Sequence, residues 1–183
     1  MEEKKQLNYF QYSFLLIKNP DEIITKDYKG FHKYGFFNMI ILILAIFSNK
    51  LLEGLDYANE DPWYLRELYE SITLTVSIAI PLGGIMLLMN WVATKVIDRR
   101  SLAYYSEKLG SVMFYPMIFY FITIILQLYN VSFYPLFSSL AMSFLYIGLF
   151  LVSYLFAARD NFKISALFVV GFYFISKIIN LVI

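Results

Sequence analysis

Glu53, Asp56 and Glu60 are spaced for metal chemistry: if residues 50–60 are helical, their carboxylates share one face and could hold a weak cation through oxygen ligands. Gly54 lies between them and no EF-hand-type loop closes around them, so an acidic, solvated loop is the commoner use of such residues. His32 is the only histidine and the chain has no cysteine. Zinc or iron sites built on imidazole and thiolate, disulfides and thiol catalysis are thereby removed. No GxSxG, HExxH or Walker-type phosphate loop occurs, and no DD or DxxD pair faces an apolar run. The sequence therefore predicts no catalytic residue, no metal site and no cofactor.

The polar groups inside apolar runs are hydroxyls and amides. Ser71 with Thr75, Thr73 with Ser77, and Ser139 with Ser143 are i, i+4 pairs, each on one helix face; Asn38, Asn90, Thr123 and Gln127 stand singly. Pro81-Leu82-Gly83-Gly84 interrupts the middle of a long apolar run. Proline frees a backbone carbonyl and glycines admit a close neighbour, which can build a hinge or a small polar cleft. Pro81, Gly83, Gly84, Thr123, Gln127, Ser139 and Ser143 are the candidate lining of such a cleft. A static kink and ordinary interhelical hydrogen bonds are the commoner uses of the same residues. A second set, Lys95, Arg99, Arg100 and Lys108, is placed to meet anionic lipid headgroups, although setting topology alone accounts for it.

The elements that position these groups are membrane helices. Of 183 residues, 60% are hydrophobic, 20% aromatic and only 16% charged, too apolar for one soluble domain of this length. The net charge of +1 supplies no basic field for nucleic acid. The uncharged run from Ile72 to Thr94 is long enough to cross the roughly 30 Å of a hydrocarbon core. The expected fold is an all-α integral membrane protein, a bundle of five transmembrane helices at about 31–52, 72–94, 109–129, 134–157 and 164–183. One or two short amphipathic helices precede it in residues 1–30, where no secretory signal peptide is read.

In the first of these, Leu7 to Lys18, Phe10, Phe14 and Ile17 fall at i, i+4 and i+7, so it lies either on the membrane surface or against its own bundle. Asn19-Pro20-Asp21-Glu22 starts the second, which Gly30 ends. Residues 48–71 form an acidic loop, and the middle three crossings hold no ionisable group, which argues against a proton relay. Only Lys177 sits inside an apolar run, near enough to its end to reach the interface. With the N-terminus inside, twelve basic residues lie on the inner side and three (Lys50, Arg66, Lys177) on the outer, so the positive-inside rule predicts N-in and C-out in a cell membrane.

The order of an aromatic amphipathic start, Lys18-Asn19-Pro20, a short charged helix and a first crossing resembles the bacterial relatives of the Yip (Ypt/Rab-interacting protein) domain. Within that group it is similar to the five-helix domains of small Bacillus-type proteins that often carry a zinc ribbon. Tyr104 to Phe121, with Leu109-Gly110-Ser111, resembles the start of their third helix. The ribbon's cysteines and the eukaryotic Asp-Leu-Tyr-Gly-Pro motif are missing, so no Rab-type partner is implied. The resemblance implies a non-enzymatic scaffold, an accessory subunit or a stress- or transport-associated partner of another membrane protein, such as an ABC-type exporter, or a self-associating one. The alternatives are a small solute transporter or exporter with its path at the Pro81/Gly83/Gly84 break and, more remotely, a membrane-embedded lipid enzyme.

Overall fold

Asn8 starts the first helix. Its side chain accepts the Gln11 N–H at 2.9 Å while the Gln11 side chain accepts the Asn8 N–H at 3.1 Å, a reciprocal cap that satisfies two otherwise orphaned donors. The computed structural model describes residues 7–25, 31–57, 64–96, 100–158 and 160–183. In chain order the helices are α1 (Tyr9–Lys18), α2 (Pro20–Thr25), α3 (His32–Tyr57), α4 (Tyr64–Val96), α5 (Leu102–Leu128), α6 (Tyr134–Val152) and α7 (Phe162–Val182). A five-residue π turn, Ser153–Ala157, continues α6. Helices α3 to α7 are long and apolar enough to cross a membrane.

Three helix ends lie beyond the apolar runs that mark them in the sequence. Helix α3 continues to Tyr57 and α4 begins at Tyr64, so most of the expected acidic loop is helix. Polar residues carry the extensions through local pairs: Arg66 Nε lies 3.0 Å from Glu70 Oε1 at i, i+4, and Lys50 Nζ 3.4 Å from Glu53 Oε2 at i, i+3. Helix α5 begins at Leu102, where Ser101 caps it by accepting the Tyr104 N–H. Helix α4 runs unbroken through Pro81. Gly35 and Gly110, rather than the glycines after Pro81, are where helix backbones meet.

Helices α3 and α5 form the main seam. Their cross-links pair residues separated by 74 (Ser106 with His32), 72 (Asn38 with Gly110) and 78 positions (Asn49 with Gln127). A nearly constant offset along both helices makes them parallel neighbours. Near their N-terminal ends, a Cβ on Gly110 would fall on the Gly35 carbonyl and one on Gly35 on the Ser106 carbonyl oxygen. Only glycine at both positions permits this approach. At the far end Asn49 Nδ2 donates to Gln127 Oε1 at 3.0 Å.

Helix α6 returns antiparallel to α5 after a tight turn in which Asn130 takes a left-handed φ of 52°, a conformation that asparagine tolerates. Phe119 stacks on Phe144 with ring centroids 4.9 Å apart, and the Gly148 position faces Val112 and Met113. Helix α4 packs antiparallel to α3, and α7 lies mainly against α4. Leu42, Ile46, Ile85, Met113, Leu145 and Phe172 are among the buried residues that fill the middle.

Candidate functional site

Polar chemistry concentrates where α1 crosses the N-terminal ends of α3 and α5. Tyr9 Oη donates to Asn38 Oδ1 at 2.7 Å, and Asn38 Nδ2 donates to the Gly110 carbonyl at 3.0 Å. One amide thus joins α1, α3 and α5. Tyr12 Oη and Ser111 Oγ are 2.7 Å apart, and Ser111 Oγ donates to the Glu107 carbonyl at 2.7 Å. A serine has one hydroxyl proton, so Tyr12 is the donor to Ser111. Two more tyrosines complete the attachment: Tyr34 Oη donates to the Leu7 carbonyl and Tyr115 Oη to the Leu16 carbonyl, each at 2.8 Å.

Tyr12 is fully buried among Phe31, Tyr34 and Tyr9. Burial raises its phenol above the usual tyrosine range. The hydroxyl therefore stays protonated, the form that donates. The expectation of a helix either on the membrane surface or against the bundle resolves in part: one face of α1 is anchored to the bundle, while Phe10, Phe14 and Ile17 face outward.

Beneath Tyr12, α5 is enclosed on all sides, every residue from Tyr105 to Phe114 being buried. Glu107 and Lys108 lie in that stretch, with Lys108 Nζ 3.4 Å from Glu107 Oε1. The ammonium also lies 5.3 Å from the Tyr104 ring centroid and 5.6 Å from that of Phe156, within cation–π range. Two sequence expectations are corrected here. Lys108 has no exposed surface and does not reach a headgroup, and a middle helix does carry buried ionisable groups. The reason is the early start of α5, which places Lys108 two turns inside a helix. The Ser101 cap was the signal that could have found it.

The residues expected to line a cleft are not brought together. Pro81 is buried in α4, whereas Gly83 and Gly84 face open space with no heavy atom within 4 Å of a Cβ position. Thr123 Oγ1 donates to the Phe119 carbonyl of its own helix at 2.9 Å, and Gln127 is tied to Asn49. Ser139 and Ser143 are exposed on α6, with Ser143 Oγ donating to the Ser139 carbonyl at 2.9 Å. Ser71, Thr75 and Ser77 likewise bond to carbonyls of their own helix. Most of these hydroxyls are satisfied within their own helix, whereas Thr73 Oγ1 and Asn90 Oδ1 are buried with no hydrogen-bond partner among the described residues.

At the opposite end of the bundle, a cleft of about 490 Å³ lies between α3, α4 and α7, lined by Lys50, Glu53, Tyr69, Glu70, Thr73 and Asn180, among others. Of the three carboxylates spaced for a cation, Glu53 lies on α3, while the Asp56 side chain and Glu60 fall outside the described residues. Among the described residues no group of three or more His, Cys, Asp or Glu side chains is placed to hold a metal. Of the basic set, Lys95 is exposed with Nζ 4.1 Å from the Trp91 ring centroid, and exposed Arg100 lies 4.9 Å from that of Tyr104. Arg99 falls outside the described residues. Lys177 is exposed on α7, 5.8 Å from the Tyr173 ring centroid.

Two mainly apolar clefts complete the surface: one of about 370 Å³ between α2, α5 and α6, lined by Ile24, Val112, Tyr115, Phe144, Ile147 and Leu151 among others, and one of about 250 Å³ between α4 and α7, lined by Ile85, Leu88, Val92, Ile164, Leu167, Phe168, Gly171 and Ile175. Gly171, like Gly83 and Gly84, has open space at its Cβ position. Helix α7 buries only Ser165, Phe168 and Phe172. No family model, curated protein or solved structure matches the chain.

Proposed function

We propose that this chain is a non-enzymatic, multi-pass membrane protein of Yip-like type that serves as an accessory subunit or scaffold for another membrane protein. The observation that carries the reading is the α4/α7 face. Where α3 and α5 close on each other through glycine, α4 and α7 leave an apolar cleft with Gly171 in its wall and nothing packed against it. Lipid tails are as apolar as leucine, so one membrane helix selects another by close packing, and small residues at an open surface supply the room. The occupant of this cleft is a transmembrane helix of the partner. The polar groups support the same reading, since Asn38, Asn49, Ser111 and Gln127 hold helices together. The chain sits with Lys95 and Arg100 at the cytoplasmic headgroups of a bacterial plasma membrane, consistent with the bias in basic residues.

The test places a photo-crosslinking residue at Leu88 or Leu167, in the cleft, and at Phe121, which is exposed on α5 outside it. After irradiation of native membranes, a stoichiometric adduct with one membrane protein from the cleft positions and none from Phe121 is expected. Lipid adducts alone from all three positions would overturn the reading.

A further inference from the structure

Helix α1 divides its circumference into three sectors at about 100° per residue. Tyr9, Tyr12, Ser13 and Leu16 form the first and meet the bundle, with Tyr12 and Leu16 fully buried. Phe10, Phe14 and Ile17 form the second and are 82%, 63% and 63% exposed. Gln11 and Lys18 form the third, flanked by Asn8 and Asn19 at the helix ends, and all four are exposed. An ordinary amphipathic surface helix needs two sectors. A helix with three has one each for protein, hydrocarbon and water.

Its position agrees. The anchors of α1 fall on Tyr34 and Asn38 of α3 and on Ser111 and Tyr115 of α5. The uncharged runs of those helices begin after Lys33 and after Lys108. All four anchors therefore lie within about 10 Å of the start of the apolar segments, at 1.5 Å per residue. That is the depth at which interfacial helices bury their apolar face. Because successive anchors pass from α3 to α5, α1 lies across the spanning helices. Exposed aromatic surface also lies on α3 beside α1: Phe37 meets Tyr9 edge-on at 5.0 Å, and Phe36 and Phe37 are themselves 55% and 46% exposed.

We propose that α1 is seated at a three-phase junction, with Phe10, Phe14 and Ile17 inserted among the acyl chains of the leaflet at the N-terminal ends of α3 and α5. The occupant of the exposed stripe is lipid, and the inference rests on reading α3 to α7 as membrane spans. The same ten residues carry the lipid contact and the Tyr12–Ser111 bond. Movement of α1 in that leaflet thus moves Tyr12 against the segment that holds Glu107 and Lys108.

The chain has no cysteine, so single spin labels can be placed without background. Labels at residues 14 and 17, at 11 and 18, at Phe121 on the exposed face of α5 as the lipid control and at Asp160 as the water control would be compared after reconstitution into phosphatidylcholine/phosphatidylglycerol vesicles. The readout is the ratio of oxygen to nickel-chelate accessibility. The expected ratio at residues 14 and 17 matches that at Phe121 and exceeds that at 11 and 18 several-fold. A label at 14 that is open to nickel chelate, or shielded from both reagents as under a protein partner, would overturn the lipid seat while Phe121 still reports hydrocarbon. A water-like ratio at Phe121 would instead overturn the membrane spans and the seat with them.

Discussion

At the N-terminal ends of α3 and α5, Gly35 and Gly110 bring two backbones into contact, whereas Gly83, Gly84 and Gly171 on α4 and α7 face open space. The first region is sealed with polar bonds: an asparagine joins three helices, four tyrosine hydroxyls hold α1, and a buried ion pair lies beneath. The second is apolar, and α7 contributes to it with little of its surface buried. The same residue type therefore fixes the fold on one side and leaves open surface on the other. Close packing and hydrogen bonds, which hold helices together where hydrophobic burial gives no preference, are spent on α3 and α5.

The largest effect expected from this contrast comes from Gly110→Leu. Its side chain would meet backbone, which cannot move aside, so folded protein should be lost from detergent extracts judged by size-exclusion chromatography. A monodisperse Gly110→Leu protein would remove the basis of the comparison. Next is Lys108→Met, which removes a buried ammonium 3.4 Å from Glu107 Oε1 and within cation–π range of two rings, and should lower stability in a reversible unfolding assay by more than any surface substitution. Stability equal to that of the parent would mean that the buried ammonium is not part of what holds this end together.

Tyr12→Phe removes one donor and should cost about 1 kcal/mol. The pH dependence follows from the same group. Its folded-state pKa is raised, so its contribution is complete below the ordinary tyrosine value of about 10 and is lost as pH rises toward the folded value. A spin label on α1 should accordingly gain mobility in strongly alkaline buffer and not between pH 5 and 8. The smallest effect is expected at Ser143→Ala, on an exposed face with its hydroxyl bonded to its own helix, within about 0.5 kcal/mol of the parent.

Five apolar helices were legible in the sequence because uncharged runs of about twenty residues have one stable form in lipid. Their ends were not. Glu53, Glu67 and Glu70 read as loop because charge was equated with solvent, yet two helices carry them past the apolar runs. Lys108 misled for the same reason, although Ser101 marks the helix start seven residues earlier. The tyrosine attachment of α1 had no local signal at all: Tyr12 and Ser111 are 99 positions apart, as are Leu16 and Tyr115. Pro81-Leu82-Gly83-Gly84 suggested a break, but membrane helices accommodate proline, and its glycines face outward rather than into the bundle.

The most direct test of the division between a fixed seam and the proposed docking face is Gly171→Leu. The new side chain enters open space and fills the α4/α7 cleft, so it separates folding from partner binding. Thermal unfolding and the recovery of the cross-linked partner would be measured on the same preparation. Unchanged unfolding with the partner lost is the predicted result. Unchanged recovery of the partner, or loss of the fold comparable to that of Gly110→Leu, would contradict the account.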